Sequence, residues 1–240
     1  MNKKIVLYYL LLQICIFGTS CDQNKGSEIT AIESFPLPDI SENQTGKGFT
    51  ATGLAYDTSE QVFYIGNCGK MIPDEINFKA TIVKISNNWS EKIGEIELYK
   101  IFPGMDDIQG LTIDTRDNSI WFCSFGENKV RHITKDGEIL GEFHLDQANG
   151  IAYDHKNDSL WILTPGKLLN TDKNGGVLKK FTFSYEGQDQ IFLDEKNNII
   201  YFTADNNYQE PNDIYAIDLS TGHIKKKYTL KDSYAVEGIF

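Results

Sequence analysis

Gly53-Leu-Ala-Tyr-Asp57, Gly110-Leu-Thr-Ile-Asp114, Gly150-Ile-Ala-Tyr-Asp154 and Gln190-Ile-Phe-Leu-Asp194 are four copies of one short segment that runs apolar up to a closing Asp. Each is followed seven residues later by an aromatic: Tyr64, Trp121, Trp161 and Tyr201. From the second copy onward the spacing is about 40 residues, and Gly238-Ile239-Phe240 opens a fifth copy. A period of that length with no helical pattern inside it marks propeller blades of about four strands each. The expected fold is therefore all-β: a β-propeller with about four four-stranded blades plus the start of a fifth, an incomplete five- or six-bladed ring.

Within a repeat the strands follow from apolar runs and turn residues. The Gly-led segment is the first strand. After a turn rich in Asp, Asn, Ser and Lys comes the aromatic strand: Val62 to Ile65, Ile120 to Cys123, Leu160 to Leu163 and Ile199 to Phe202. Third strands run Thr81 to Ile85, Lys129 to Ile133, Lys167 to Asn170 and Asp213 to Ile217. Outer strands run Ile93 to Ile101, Ile139 to Leu145, Val177 to Phe183 and His223 to Leu230. Tight turns such as Asp136-Gly137, Asn174-Gly175 and Thr221-Gly222 suit antiparallel neighbours. Aromatics at 12% and 20 Gly fit many short strands joined by turns.

Ahead of the repeats, Lys3 and Lys4 precede an apolar stretch from Ile5 to Phe17 in which Gln13 alone is polar, and Gly18, Thr19 and Ser20 lead to Cys21. So short a run with those flanks reads as a secretory signal rather than a membrane span. The small residues before Cys21 resemble the lipobox of bacterial lipoproteins, although Gly18 stands where a Leu is usual; an ordinary cleaved signal is the alternative. The resemblance implies a signal peptide over residues 1–20, a lipidated Cys21 opening a tether over 21–28, and a propeller domain over 29–240. It also implies a cell-envelope location, with the lipid holding the domain on the periplasmic or surface side of a bacterial membrane.

The chain carries 23 Lys and Arg against 34 Asp and Glu. An acidic body without a basic stripe argues against nucleic acid as a partner, because phosphate neutralisation dominates such affinity. Cys15 lies in the leader and Cys21 is the lipid candidate, leaving Cys68 and Cys123. Export permits a disulfide between them, but they sit at different offsets of neighbouring repeats, so two buried thiols are the expected state.

The recurring Asp57, Asp114, Asp154 and Asp194 end strands, where a carboxylate bonds backbone amides of the following turn; their expected role is structural. The recurring aromatics are expected to pack between adjacent blades. A second set of positions is of more chemical interest: Thr52, Gln109, Asn149, Asp189 and Glu237 immediately precede the first strands. First strands line a propeller's central channel, so these residues encircle its mouth, and their oxygens suit a hard cation such as calcium. Asn67, Asp74, Glu75, Asp106, Asp107, Glu127, Asn128, Asp205, Asn206 and Glu210 fall on the same rim. A wet channel mouth that merely tolerates polar residues is the competing expectation.

Asn149-Gly150-Ile-Ala-Tyr-Asp154 and Glu237-Gly238-Ile239 resemble NHL-type six-bladed propellers, including the gluconolactonase group and the SdiA-regulated family of envelope proteins. The likeness covers residues 50–240 and rests on repeat motifs. In the gluconolactonase group a divalent metal sits in the channel mouth, and by resemblance that role falls on Asn149, Asp189 and Glu237, with Gln109 beside them. Thr52 departs from the pattern, since the group supplies a Glu there. Four blades and the opening of a fifth also imply exposed edges, as expected for a fragment or a prematurely ended reading frame. A closed four-bladed form would leave Val236 to Phe240 as an extra strand.

No phosphate loop, Gly-x-Ser-x-Gly elbow, His-Glu-x-x-His or Cys-x-x-Cys occurs. His132, His144, His155 and His223 fall at unrelated offsets and read as surface or packing residues. A lyase of the antibiotic-inactivating propellers would need a histidine that this spacing does not place. The sequence thus points to a non-catalytic envelope lipoprotein whose propeller binds a protein, glycan or small ligand. The alternative is a metal-dependent lactonase or esterase, working through metal-activated water or a polarised carbonyl.

Overall fold

The structure is a computed structural model that describes residues 27–29, 51–68, 80–105, 107–184, 190–204 and 212–230. Four antiparallel meanders follow one another. Blade 1 comprises β2 (Ala51–Asp57), β3 (Val62–Asn67), β4 (Thr81–Ser86) and β5 (Lys92–Ile96); blade 2 comprises β6 (Leu111–Asp114), β7 (Ser119–Ser124), β8 (Lys129–Ile133) and β9 (Ile139–His144). Blade 3 comprises β10 (Ile151–Asp154), β11 (Ser159–Thr164), β12 (Lys167–Thr171) and β13 (Val177–Thr182); blade 4 comprises β14 (Ile191–Asp194), β15 (Ile199–Ala204), β16 (Asn212–Asp218) and β17 (Ile224–Leu230). The fold is the expected all-β propeller of four four-stranded blades, and residues 231–240, where the fifth repeat opens, lie outside the described residues.

The inner strands stack in chain order, β2 against β6, β6 against β10 and β10 against β14, and among the described residues no comparable packing joins β14 back to β2. Glycine at the head of the repeat makes this stacking possible. Gly53 donates its N–H to the Gln109 carbonyl at 2.7 Å, and Gly110 donates to the Asn149 carbonyl at 2.9 Å. A Cβ on Gly53 would lie 2.4 Å from that carbonyl oxygen and 2.6 Å from the Leu111 nitrogen; on Gly110 it would meet the Asn149 oxygen at 2.6 Å. Only a residue without a side chain allows two backbones so close. The hydrogen bonds between blades in turn satisfy inner-strand groups that no sheet partner reaches.

The aromatics fill the space between blades. Tyr64 packs among Leu111, Ile113, Ile120 and Phe122 of blade 2, Trp121 among Ile151, Tyr153 and Leu160 of blade 3, and Trp161 among Ile191, Ile200 and Phe202 of blade 4. Full burial of side chains this large contributes about 1.5–3 kcal/mol each. Each third strand carries a bulge against its outer strand at the same repeat position: Lys84/Ile85, His132/Ile133, Asn170/Thr171 and Ala216/Ile217. The outer strands of blades 1, 2 and 3 end their sheets and keep open hydrogen-bonding edges. Charged residues stud them, as in Lys179 and Lys180 of β13, which discourages edge-to-edge association.

Two strands differ from the sequence reading. The outer strand of blade 1 stops at Ile96, and Leu98–Ile101 forms one helical turn, α1. Leu98, Phe102 and Met105 all drop into the core between blades 1 and 2, a burial that an extended outer strand cannot provide. At the other end of the chain, Ser27 and Glu28, read as the end of a polar tether, form with Ile29 a strand β1 (Ser27–Ile29). It lies parallel to β17, pairing Ser27 with Tyr228 and Ile29 with Leu230, so the fourth sheet has five strands. Cys68 and Cys123 are both buried, as expected, and burial pushes the Cys123 thiol far above its usual range. Among the described residues no helix is long and apolar enough to cross a membrane.

Candidate functional site

Two faces of the propeller carry polar clusters. On the channel-mouth face, Gln109 and Asn149 take equivalent places ahead of β6 and β10. Both are half-buried, and their backbones are pinned: Gln109 N–H donates to the Cys123 carbonyl and Asn149 N–H to the Leu163 carbonyl, each at 2.9 Å. Thr52, the corresponding residue of blade 1, is buried and donates its hydroxyl to the Ile108 carbonyl at 2.5 Å. Its oxygen serves the seam between blades. Asp189 and Glu237 lie outside the described residues, as does Cys21.

The rim residues are largely committed to holding loops. Asp107 accepts from the Ser124 hydroxyl at 2.9 Å and the Gly126 amide at 2.7 Å, confirming that the approach to β6 and the β7–β8 turn share one face. Glu127 accepts from Ser124 at 2.9 Å and pairs at 2.8 Å with Arg131. The Arg131 guanidinium is buried, 4.0 Å over the Phe102 ring. Asn128 accepts from the Gln147 amide at 2.8 Å, and Asn67 reaches Thr81. These bonds explain the rim's polarity without a ligand. Asp74, Glu75, Asp106, Asp205, Asn206 and Glu210 lie outside the described residues.

The opposite face carries the recurring Asp turns. As expected, each Asp accepts from its own turn: Asp57 from Ser59 N–H at 2.8 Å, Asp114 from Arg116 at 3.0 Å, Asp154 from Asn157 at 3.0 Å and Asp194 from Asn197 at 3.1 Å. The first two carboxylates do more. Lys135, in the outer turn of blade 2, reaches back to Asp57 and Glu60 of blade 1. Lys173, in the outer turn of blade 3, reaches back to Asp114 at 2.6 Å and to Asp158 at 2.7 Å. Both lysines stand two residues before a left-handed glycine, Gly137 and Gly175. In blade 4 that glycine is Gly222 and Ser220 takes the lysine's place, so Asp154 bonds Trp161 Nε1 at 3.2 Å instead. A shallow cleft of about 330 Å³ opens at this junction, lined by Asp154, Asn157, Glu195 and Leu219 among others.

Burial alone would raise the Asp57 carboxyl, but Lys135 and the Ser59 and Glu60 amides outweigh it and hold the group at about 2, against 3.8 for a free carboxyl. A carboxyl depressed in the folded state contributes stability above its unfolded value and loses that contribution as the pH falls through the folded one. Stability measured by urea titration is therefore expected to fall between pH 3.8 and about 2. Asp57→Asn should flatten that part of the profile; an unchanged slope would mean that other carboxyls carry it.

Asp114, Asp117 and His132 form the one group of three metal-ligating side chains found among the described residues, their donor atoms all within 4.8 Å of one another. The group can hold a metal ion. His132 lies across from Trp121 in the β7–β8 register and stacks on it, with ring centroids 3.9 Å apart and planes 8° from parallel. Its Nε2 is 2.5 Å from the Ser119 hydroxyl and 3.7 Å from Asp117 Oδ2. Burial pulls the imidazole below its ordinary value and keeps it neutral near pH 7. The sequence reading set His132 aside as a packing residue, which its stacking bears out, and missed its neighbours. Counting back across the β7–β8 turn from Trp121 would have found the pairing.

By sequence, the chain matches no family profile and no curated protein. By fold it is similar to several solved propellers. It superimposes on a streptogramin B lyase with a TM-score of 0.52 at 17% identity, over 80% of this chain and 59% of that one. For virginiamycin B lyase from Staphylococcus aureus the values are 0.51, 20%, 80% and 59%. For a chain of the nidogen/laminin complex they are 0.50, 13%, 79% and 84%. The chain spans 59% of the length of the two lyases. Identities this low carry architecture without chemistry, and on that footing, together with its four meanders, the chain is a β-propeller.

Proposed function

We propose that this chain is an exported propeller, held on a bacterial membrane by lipid at Cys21, that serves as a binding scaffold for a protein, glycan or small ligand. A divalent cation, calcium by donor type, is proposed at the channel mouth on Gln109, Asn149, Asp189 and Glu237. The observation that carries the non-catalytic reading is the fate of the reactive side chains. Of the two hydroxyls that meet a histidine ring among the described residues, Ser119 is 2% exposed and shared with Asp117, so substrate has no access to it. The other, Thr115, meets His155 Nδ1 at 2.8 Å on the exposed turn face and outside the cleft beside Asp154. The recurring Asp57, Asp114 and Asp154 of the turn face are engaged by Lys135, Lys173 and backbone amides. Support for the cation comes from Gln109 and Asn149, two half-buried amides presented from consecutive blades on pinned backbones.

Two measurements test the reading. Cys21→Ser should move the protein from the membrane fraction to the soluble fraction, and retention of the variant in membranes would sink the anchor. In parallel, chelated protein should melt at a higher temperature when millimolar calcium is restored, because a ligand bound by the native state alone raises apparent stability. Asn149→Ala should abolish the rise, while lactone panels with calcium show no hydrolysis. Turnover that disappears in Asn149→Ala would replace the scaffold with a metal-dependent lactonase or esterase.

A further inference from the structure

The junction between blades 2 and 3 repeats the one between blades 1 and 2 with an imidazole where the first has its second ammonium. In the first, Asp57 and Glu60 face two ammonium groups: Lys135 bridges both carboxylates, and Lys84 pairs with Glu60. Lys84 projects from the third strand opposite Tyr64. In the second junction, Asp114 and Asp117 stand in the places of Asp57 and Glu60, and Lys173 in that of Lys135. The place of Lys84, opposite Trp121, belongs to His132. Asp158 adds a third carboxylate, which Arg116 meets at 3.2 Å while Lys173 is shared between Asp114 and Asp158.

The other blades show that these two positions change together. Where blade 1 has Glu60 with Lys84, blade 3 has Asn157 with Asn170 and blade 4 has Asn197 with Ala216. The carboxylate is present with its ammonium, or both are absent. Blade 2 alone keeps the carboxylate and puts an imidazole where the ammonium would be.

We propose that Asp117 and His132, with the buried carboxylate of Asp114 behind them, bind a divalent cation of borderline softness such as zinc, in the place that the Lys84 ammonium fills in blade 1. The mixed nitrogen and oxygen donors select for that class over calcium or magnesium. His132 Nε2 and Asp117 Oδ2, 3.7 Å apart, are spaced like two donors about 2.0–2.2 Å from one tetrahedral ion, which lie somewhat over 3 Å from each other, and the ion would take the place of the Ser119 hydroxyl that lies 2.5 Å from the same nitrogen. Asp114 is fully buried and Asp117 exposed, so the ion has one dry side and one open to solvent. Asp114 engages Arg116 N–H and Lys173, yet a carboxylate has about four lone-pair sites and keeps capacity for a cation. Trp121, stacked on His132 and 2% exposed, has an indole N–H that meets no acceptor among the described residues. In blade 3 the same nitrogen bonds Asp154, the counterpart of Asp114. Water carried by the ion would bring an acceptor to this part of the junction.

The test borrows its variants from the other blades. Full-length chain in detergent, stripped with a chelator, is titrated with zinc chloride by calorimetry and then melted with and without zinc. Wild type should bind one zinc and melt higher with it. Asp117→Asn, the residue type of blades 3 and 4, should weaken binding at least about tenfold. His132→Lys, the residue type of blade 1, should abolish binding while its metal-free melting point equals or exceeds that of wild type. Asn149→Ala should leave the zinc response intact, separating this site from the channel mouth. The proposal is overturned if wild type binds no zinc, or if both variants bind it as tightly as wild type. Asp117→Asn changes little in shape, so it decides the matter even should His132→Lys fold poorly.

Discussion

Gly53→Ala is expected to destabilise the protein by about 3 kcal/mol or more, at or beyond the upper end of what overpacking commonly costs. The added methyl would sit 2.4 Å from the Gln109 carbonyl oxygen and 2.6 Å from the Leu111 nitrogen. Neither obstacle is a flexible side chain. Both belong to the inner strand of the next blade and the residue that leads into it, so relief requires blades 1 and 2 to separate. Separation also breaks the 2.7 Å hydrogen bond from Gly53 N–H and loosens the packing around Tyr64 and Ile108. Gly141→Ala is the control, because a methyl there meets nothing within 4 Å. It should change stability by no more than about 0.5 kcal/mol. Urea unfolding of the two variants separates the cases, and equal effects would refute the assignment of the repeat glycine to blade spacing.

The second large effect is expected from Lys135→Met, which removes the ammonium from Asp57 while preserving most of the aliphatic stem. Asp57 is 3% exposed, and Lys135 is the cation paired with it. Breaking a buried pair from one side costs about 3–5 kcal/mol, since the remaining charge stays desolvated. The Ser59 and Glu60 amides still bond Asp57, which places the expectation near the lower end of that range. Asp57→Asn combined with Lys135→Met should recover much of the loss, because neither half of the pair is then left charged and buried. A double-mutant cycle with no coupling would show that Lys135 acts through packing on Tyr64 rather than through charge.

The architecture was legible because the same physical problem is solved four times. Blades 1 to 3 carry a glycine at the head of the inner strand, and every blade carries a carboxylate to turn the corner and an aromatic seven residues on, so these residues recur at fixed distances. Third strands, fixed by register to the second, were placed within a residue or two of their ends. The outer strand of blade 1 was overextended, since Leu98 and Ile101 look equally apolar in a strand and in a helical turn. The turn-face cluster was hidden for a different reason. Lys135, Lys173 and His132 act on carboxylates across blade seams or across a hairpin, and the repeat period alone does not reveal such pairings. His132 differs in kind from Lys84, Asn170 and Ala216 at the same register position, so it has no repeat to announce it.

The parallel strand β1 against β17 has a consequence for the order in which the molecule is made. Blades are local in sequence, and each meander pairs with itself over a few tens of residues, so the array can form progressively from blade 1 onward. The β1 pairing joins partners about 200 residues apart and carries the largest loop-closure entropy of any sheet contact described. Ser27–Ile29 must wait, unpaired, until Tyr228 to Leu230 have been synthesised and folded. The β1–β17 pairing is thus expected to form last and to open first when the protein breathes, so amide hydrogens of β1 should exchange well before those of β3 or β7.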